Sequence, residues 1–279
     1  MKKFYFFVFT VFFSCAEQPN LESETPRIKM LSTFEVALDI KTQEQLESEF
    51  DSGLDPKNLD IWMKHMSSKP HHVGSPWSKQ NAEYAANKFR EWGFDSEIET
   101  VDVLVPLPKV RKLSMVAPER IELKLFEPAV EGDLSSAMTE NVLPGYNAFS
   151  ADGNVTGELV FVNYGIPEDY EELKRLGVDV KGKIVIAKYG RSFRGIKPKV
   201  AYENGAIGCI MYSDPKDDGY VVGDVYPEGP YRNEYGIQRG SVLDMPTQPG
   251  DALTPGYAAT KDAKRLSREE APTIMKIPV

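Results

Sequence analysis

Hydrophobic positions change their spacing three times along this chain. From Asp55 to Trp92 they recur at helical intervals, with Leu59, Trp62, Met63 and Met66 in one run and Ala82, Ala85, Phe89 and Trp92 in the next. Steps of three and four put such residues on one face of an α-helix. The first helix is expected to start at Asp55-Pro56, with Asp as cap and Pro at the first helical position, and to end before Lys69-Pro70. The second is expected over Ser78 to Trp92, with Gly93 as its stop. At Val101, Val103 and Val105 the period becomes two, which predicts a strand. Strand patterns return at Lys112 to Ala117, at Arg120 to Phe126 and, most strongly, at Gly157 to Tyr164. Asp152-Gly153 marks a turn before the last of these. Glu168 to Leu176 then predicts a short acidic helix closed by Gly177.

The pattern is densest from Gly182 to Pro215. An apolar run, Ile184 to Ala187, leads into the Gly- and Arg-containing turn Gly190 to Gly195. Pro198 suits the first turn of a helix, where its missing N–H costs nothing, and the helix is expected over Lys199 to Asn204. Gly205 can take the left-handed conformation that often ends a helix. A second apolar run, Ile207 to Tyr212, closes the unit. Two strand-like runs around a short helix read as a crossover joining parallel, buried strands. The fold class is therefore α/β, mixed with α+β elements, around a strand–helix–strand core.

Composition narrows the function classes. The 279 residues are 41% hydrophobic and 27% charged, which is ordinary for one or two globular domains. A net charge of −9 without a long basic run argues against nucleic acid as a partner, because phosphates need a positive footprint. The three histidines are His65, His71 and His72, which limits any histidine-based metal site. Adjacent side chains such as His71 and His72 point apart in most backbone conformations, so they are not read as metal ligands.

The N-terminus reads as a targeting segment. Lys2 and Lys3 precede an apolar run from Phe4 to Phe13 that is too short to span a bilayer. Ser14-Cys15 looks like a bacterial lipoprotein processing site, with Cys15 cut free and lipidated; an ordinary cleaved secretory signal is the alternative. Residues 16 to 52 read as a polar tether, with a marginal helix at Thr33 to Glu47. Cys209 is then left as a buried strand thiol, and no disulfide is expected. Two further stretches invite a site reading and fail it. Gly190 to Lys197 superficially matches a phosphate loop, but Ile196 stands where the lysine should and no Ser or Thr follows Lys197. Asp214, Asp217, Asp218 and Asp224 lack the oxygen spacing of a calcium loop, so a solvated loop is expected.

The crossover, together with Tyr235-Gly236-Ile237-Gln238-Arg239-Gly240 and Asp251-Ala252-Leu253-Thr254-Pro255-Gly256-Tyr257, resembles the protease-associated (PA) domain of the glutamate carboxypeptidase II family. That family includes the N-acetylated α-linked acidic dipeptidases and the non-enzymatic transferrin receptors. The resemblance runs from about Leu54 to the C-terminus. With the signal or lipoprotein segment read over 1–15 and the tether over 16–52, it implies an N-terminal piece of a zinc-exopeptidase domain over 53–111, a PA domain over 112–272, and the start of a catalytic segment over 273–279. In the family, the residues matching Thr254 and Tyr257 give backbone oxygens to a structural calcium, completed by carboxylates from the catalytic domain. The arginine that grips a terminal carboxylate is replaced here by Ile166, and a pocket asparagine by Ser241, which puts a preference for C-terminal glutamate in doubt.

The resemblance further implies two zinc ions and a Glu general base, all supplied after the PA domain. The chain alone is therefore expected to be inactive, with the PA domain a substrate-side lid and Ile277-Pro278-Val279 the start of the missing catalytic segment. Peptide is the implied substrate, and a homodimer is expected only at full length. The location implied is across the inner membrane, lipid-anchored in the envelope or periplasm. A non-catalytic PA-domain binding protein is the alternative. Without the sheet that the helices of 53–111 would cover, Trp62, Met66, Phe89 or Trp92 should be exposed.

Overall fold

A computed structural model describes residues 42–243 and 247–279. The chain divides into two compact units, Met1–Pro56 and Lys57–Val279. In the first, helix α1 (Gln43–Gly53) starts where Thr42 and Gln45 cap each other. The Thr42 hydroxyl accepts from the Gln45 N–H at 3.3 Å, and the Gln45 side-chain oxygen accepts from the Thr42 N–H at 2.8 Å. Two otherwise orphaned donors are satisfied at once. This helix occupies the end of the expected tether, and the helix expected at Thr33 to Glu47 overlaps it only in its last residues. Cys15 and most of the tether lie outside the described residues.

Helix α2 (Pro56–Ser67) and helix α3 (Pro76–Glu91) follow. The start of α3 is two residues earlier than expected. Ser75 caps it, its hydroxyl accepting from the Ser78 N–H at 3.3 Å, and Pro76 takes the first helical position. The two helices are joined through the Met66 carbonyl, which accepts from Trp77 Nε1 at 3.0 Å and Asn81 Nδ2 at 2.9 Å. Trp62 meets Trp92 edge-on at 5.4 Å, and His65 stacks on Tyr84 at 4.1 Å. Trp62 is thereby half-buried, but Met66, Phe89 and Trp92 remain 37%, 47% and 50% exposed, as expected for helices whose apolar faces lack a cover.

The strand expected at Val101 to Val105 does not form. Alternation makes a strand only where a second backbone offers a ladder, and here the Leu104 N–H donates instead to Asp251 Oδ1 at 2.6 Å. The next two expected strands shrink to β1 (Ser114–Met115) and β2 (Ile121–Glu122), an antiparallel pair with no third member. A pair without further neighbours has little to hold it beyond its own few bonds.

The organised part begins with β3 (Asn147–Ala148) and continues through β4 (Leu159–Phe161), α4 (Pro167–Arg175), β5 (Ile184–Lys188), α5 (Ile196–Glu203), β6 (Gly208–Tyr212), α6 (Pro215–Asp218) and β7 (Gly240–Ser241). Strands β4, β5 and β6 form one wholly parallel sheet in that order, with Val160 beside Val185 and Val185 beside Cys209. The β3–β7 pair is parallel too. The fold is α/β. One face of the sheet, carrying Val185, Ala187 and Cys209, packs against Tyr170 of α4 and Val200 and Ala201 of α5. On the other face Leu159 and Phe161 stay more than half exposed.

Helix α5 starts three residues before the expected Lys199, and Pro198 still falls among its first four N–H positions, where no helical bond is lost. Gly205 is left-handed (φ +86°), as expected, and its carbonyl accepts from the Gly182 N–H at 2.8 Å. Residues 273–279 do not leave this unit. Met275 and Ile277 are buried, Ile277 in the core of the sheet, and the Cys209 N–H donates to the Pro278 carbonyl at 3.0 Å along the outer edge of β6. The boundary expected between 272 and 273 is thus not a packing boundary.

Candidate ligand-binding edge of the parallel sheet

Parallel strands joined by crossovers present their carboxyl ends, and the loops that follow them, on one edge, where open α/β sheets bind ligands. In this chain that edge is built from 162–166, 189–195 and 213–218. Two of the four non-glycine residues with left-handed backbone among the described residues, Asn163 (φ +51°) and Arg191 (φ +64°), lie here beside Gly165 and Gly190. Non-glycine residues keep that conformation only where the surroundings enforce it, and such residues concentrate at functional sites.

Lys197 bonds the residues next to both. Its side chain is fully buried, and Nζ donates to the Tyr164 carbonyl at 2.5 Å and to the Gly190 carbonyl at 2.8 Å. Burial lowers the affinity of this amine for its proton. One ammonium therefore ties the loop after β4 to the loop after β5. The stretch that superficially matches a phosphate loop is a turn whose lysine points into the protein.

Tyr164 stands above this tie. Its hydroxyl donates to Asp217 Oδ2 at 2.7 Å, and its ring is approached by Lys188 Nζ at 4.3 Å and the Arg191 guanidinium at 5.3 Å. The Tyr164 bond holds the Asp217 carboxyl below the usual carboxylate range. Burial pulls the Lys188 ammonium down, but Tyr164, Asp217 and Asp214 outweigh it and raise its affinity for a proton. Lys188 lies 3.4 Å from Asp214 and 3.6 Å from Asp217. The sequence pattern predicts a solvated loop, but Asp214 and Asp217 are engaged by Lys188 and Tyr164. Asp214 also caps α6, accepting from the Lys216 N–H at 3.0 Å, and Asp218 pairs with Arg232 at 2.7 Å.

The two positions read as pocket residues each neighbour a residue that approaches the start of α5. Ile166 precedes α4, and its N–H donates to Asp169 Oδ2 at 3.2 Å. A Cβ on neighbouring Gly165 would lie 3.5 Å from Lys197 Cβ. Ser241 lies in β7, its hydroxyl accepting from the Leu243 N–H at 2.9 Å, and a Cβ on Gly195 would lie 2.7 Å from the Val242 carbonyl oxygen. Both positions therefore flank the first turn of α5. Sequence reading missed Tyr164, Arg191 and Lys197. The Lys197 tie spans 33 positions to Tyr164, and no local pattern announces it.

Thr254 and Tyr257 form a tight turn, the Tyr257 N–H donating to the Thr254 carbonyl at 3.2 Å, with Gly256 left-handed (φ +86°). Thr254 is fully buried and its Oγ1 has no hydrogen-bond partner. Both Asp251 carboxylate oxygens are taken by the N–H groups of Leu104 and Leu253. A calcium ion needs six to eight oxygens; the turn supplies two carbonyls, so these residues alone do not make that site. His71 is exposed and His72 half-buried, each ring bonded to a nearby carbonyl. Cys209 is buried and free, and burial pushes its thiol up to about 12. Among the described residues no three His, Cys, Asp or Glu side chains converge to hold a metal, so the residues present do not fit a zinc centre. No helix among them is long and apolar enough to cross a membrane.

Residues 155–244 match the PA domain family. A probable glutamate carboxypeptidase of Arthroderma benhamiae is 37% identical over 214 residues, covering 75% of this chain and 29% of that protein. The glutamate carboxypeptidase 2 homolog of Caenorhabditis elegans is 31% identical over 241 residues, covering 80% of this chain and 30% of its own length. The chain belongs to the glutamate carboxypeptidase-like family. As a member it spans under a third of the length of these curated relatives. Among solved structures, an aminopeptidase from Aneurinibacillus sp. strain AM-1 matches with 21% identity over 67% of this chain and 35% of that one, at a TM-score of 0.35. A superposition of that quality carries no conclusion about this family member's site.

Proposed function

We propose that this chain is the PA-domain-bearing part of a zinc-dependent exopeptidase that hydrolyses peptides, with the carboxyl edge of β4–β5–β6 as its substrate-side wall. The observation that carries the reading is the rigid edge itself: two neighbouring loops held by one buried ammonium, with both pocket positions, Ile166 and Ser241, at the start of α5. The family relationship supports the reaction class. Under this reading the two zinc ions are held by residues outside the described stretch. The carbonyls of Thr254 and Tyr257 are half of a calcium site completed from the same source, and homodimers form only at full length. The protein works beyond the inner membrane, held there by lipid on Cys15.

The test is hydrolysis of N-acetylated dipeptides by the natural protein at full length, stripped of metal and then resupplied with zinc. Zinc-restored release of the C-terminal residue, absent from the 279-residue chain alone, is the expected result. Peptide binding without turnover at any zinc concentration would sink the peptidase reading and leave a binding protein. Palmitate labelling that survives Cys15→Ser would place the lipid elsewhere and remove Cys15 as its attachment site.

A further inference from the structure

The parallel sheet is closed on one outer edge and bare on the other. Along β6 the Cys209 N–H donates to the Pro278 carbonyl. Among the described residues no strand lies outside β4. Leu159 and Phe161 of that strand are more than half exposed, and they share the open face of the sheet with their register partners Ile184 and Ile186. Sheet edges are ordinarily blunted by lysine, proline or a bulge, because a bare apolar edge recruits other chains. The Leu-Val-Phe run of β4 carries no such device, and the flanking Glu158 is taken by Lys183 at 3.1 Å.

The segment that leads into β4 can carry the missing cover. Residues 152–156 read Asp-Gly-Asn-Val-Thr, and Asn154-Val155-Thr156 is the one Asn-x-Ser/Thr triplet in the sequence. Such a triplet is the acceptor for N-linked sugar in exported proteins. The segment is neither helix nor strand, and Asp152, Asn154 and Thr156 are exposed. Val155 leans onto the open face, its Cγ2 lying 3.2 Å from where a Cβ on Gly208 would stand. The triplet is thus held at its centre with both flanking side chains in water. The Asn81, Asn163 and Asn204 carboxamides donate to Met66, Asp169 and Val200. The Asn154 carboxamide and the Thr156 hydroxyl make no hydrogen bond among the described residues, so nothing must break before a transferase bends the triplet into its site. Asp152 gives a cationic transferase groove a carboxylate to hold.

We propose that Asn154 is a glycosylation site and that its glycan covers the open face of the sheet. In the step, Asn154 Nδ2 attacks the anomeric carbon of a polyprenyl-diphosphate-linked oligosaccharide. The C–N bond forms, the anomeric C–O bond breaks, the diphosphate leaves with the bonding electrons, and one amide proton passes to a base of the transferase. A sheet of three strands is only about 10 Å across, so a short oligosaccharide anchored at Asn154 spans it. The anchor lies at the amino ends of β5 and β6, next to Gly208, and leaves the loops at the carboxyl edge open. The proposal rests on the reading that the chain is exported.

The test is mass spectrometry of the natural protein from its own cells, read at the N-terminal peptide and at the peptide holding Asn154. The Asn154 peptide should be shifted by hexose and N-acetylhexosamine masses. The shift should be lost in Asn154→Gln and in Thr156→Val, and kept at several-fold lower occupancy in Thr156→Ser. The bare Asn154→Gln protein should aggregate several-fold faster than the natural one; equal rates would overturn the covering role. An unshifted Asn154 peptide, or a shift that survives Asn154→Gln as sugar on the Thr156 oxygen would, overturns the site. If Asn154 is bare and the N-terminal peptide begins at a lipid-bearing Cys15, the export reading stands without the glycan; if it begins at Met1, both fall.

Discussion

Helices α3 and α5 show how differently two parts of this chain use their hydrophobic residues. Helix α3 has 16 residues and a regular apolar stripe, yet Ala86 is its one buried residue. Helix α5 has 8 residues, no marked apolar stripe, and buries Lys197, Pro198, Val200 and Ala201. The shorter helix is better embedded because a parallel sheet lies under it, with Val185 and Ala187 fully covered. Among the described residues, the longer one meets α2 and the segment that follows it, through Phe94 and Ser96. Periodicity tells a helix which face to bury; burial itself depends on a surface supplied from elsewhere in the chain. It follows that stability and site geometry should both be concentrated around the crossover.

The largest effect expected from breaking that contrast is at Lys197. Lys197→Met keeps the side-chain volume but leaves the Tyr164 and Gly190 carbonyls without a donor, which should cost about 3 kcal/mol in urea unfolding. A loss below about 1 kcal/mol would mean that the loops are held by something other than this ammonium. Next come paired truncations on the two sides of the comparison. Val185→Ala, in the closed core, should cost about 2 kcal/mol. Phe89→Ala, the larger deletion, should cost no more than about 1 kcal/mol, because its side chain is already half in water. If Phe89→Ala were the more damaging, the contrast would be wrong.

Glu127 sharpens it further. Its carboxylate forms a two-pronged pair with Arg239, at 2.6 and 3.1 Å, and accepts from the Ile237 N–H at 2.9 Å. Burial works to raise its proton affinity, but these bonds outweigh it and hold the carboxyl below the usual glutamate range. With a lowered folded-state value, the pair's contribution is complete above the unfolded glutamate value of about 4.3 and is lost as pH falls through the folded one. Glu127→Gln should cost about 1 kcal/mol at neutral pH, discounted for partial exposure, and should flatten the acid limb of the stability curve. An unchanged acid limb would contradict this. The smallest effect is at Cys209: a buried thiol pushed up to about 12 should react with a disulfide reagent only as fast as the protein unfolds.

The parts of this structure that were legible in the sequence are those with local causes. The strands at Ile184 and Gly208, the left-handed stop at Gly205 and the start of α2 at Pro56 each follow from residues within a few positions. The misreadings have distant causes. Val101 to Val105 has the right alternation but no neighbouring backbone to pair with. Ile277, in the stretch read as the start of a catalytic segment, also owes its place in the core to a distant contact: the Cys209 N–H donates to Pro278, 69 positions away. The site divides in the same way. Ile166 and Ser241 were named from a family resemblance, whereas the residues that give the edge its chemistry, Tyr164, Arg191 and Lys197, are joined by contacts between loops.

Native-state hydrogen exchange on the full chain tests the contrast most directly. The account predicts that the amides of Val185 and Ile186 exchange only through global unfolding, and that the amide of Phe89, inside a helix of its own, exchanges orders of magnitude faster through local opening. Equal protection at Phe89 and Ile186 would show that α3 is as firmly packed as the crossover, and would contradict the claim that the sheet and its two helices are where this chain's stability and its binding edge reside.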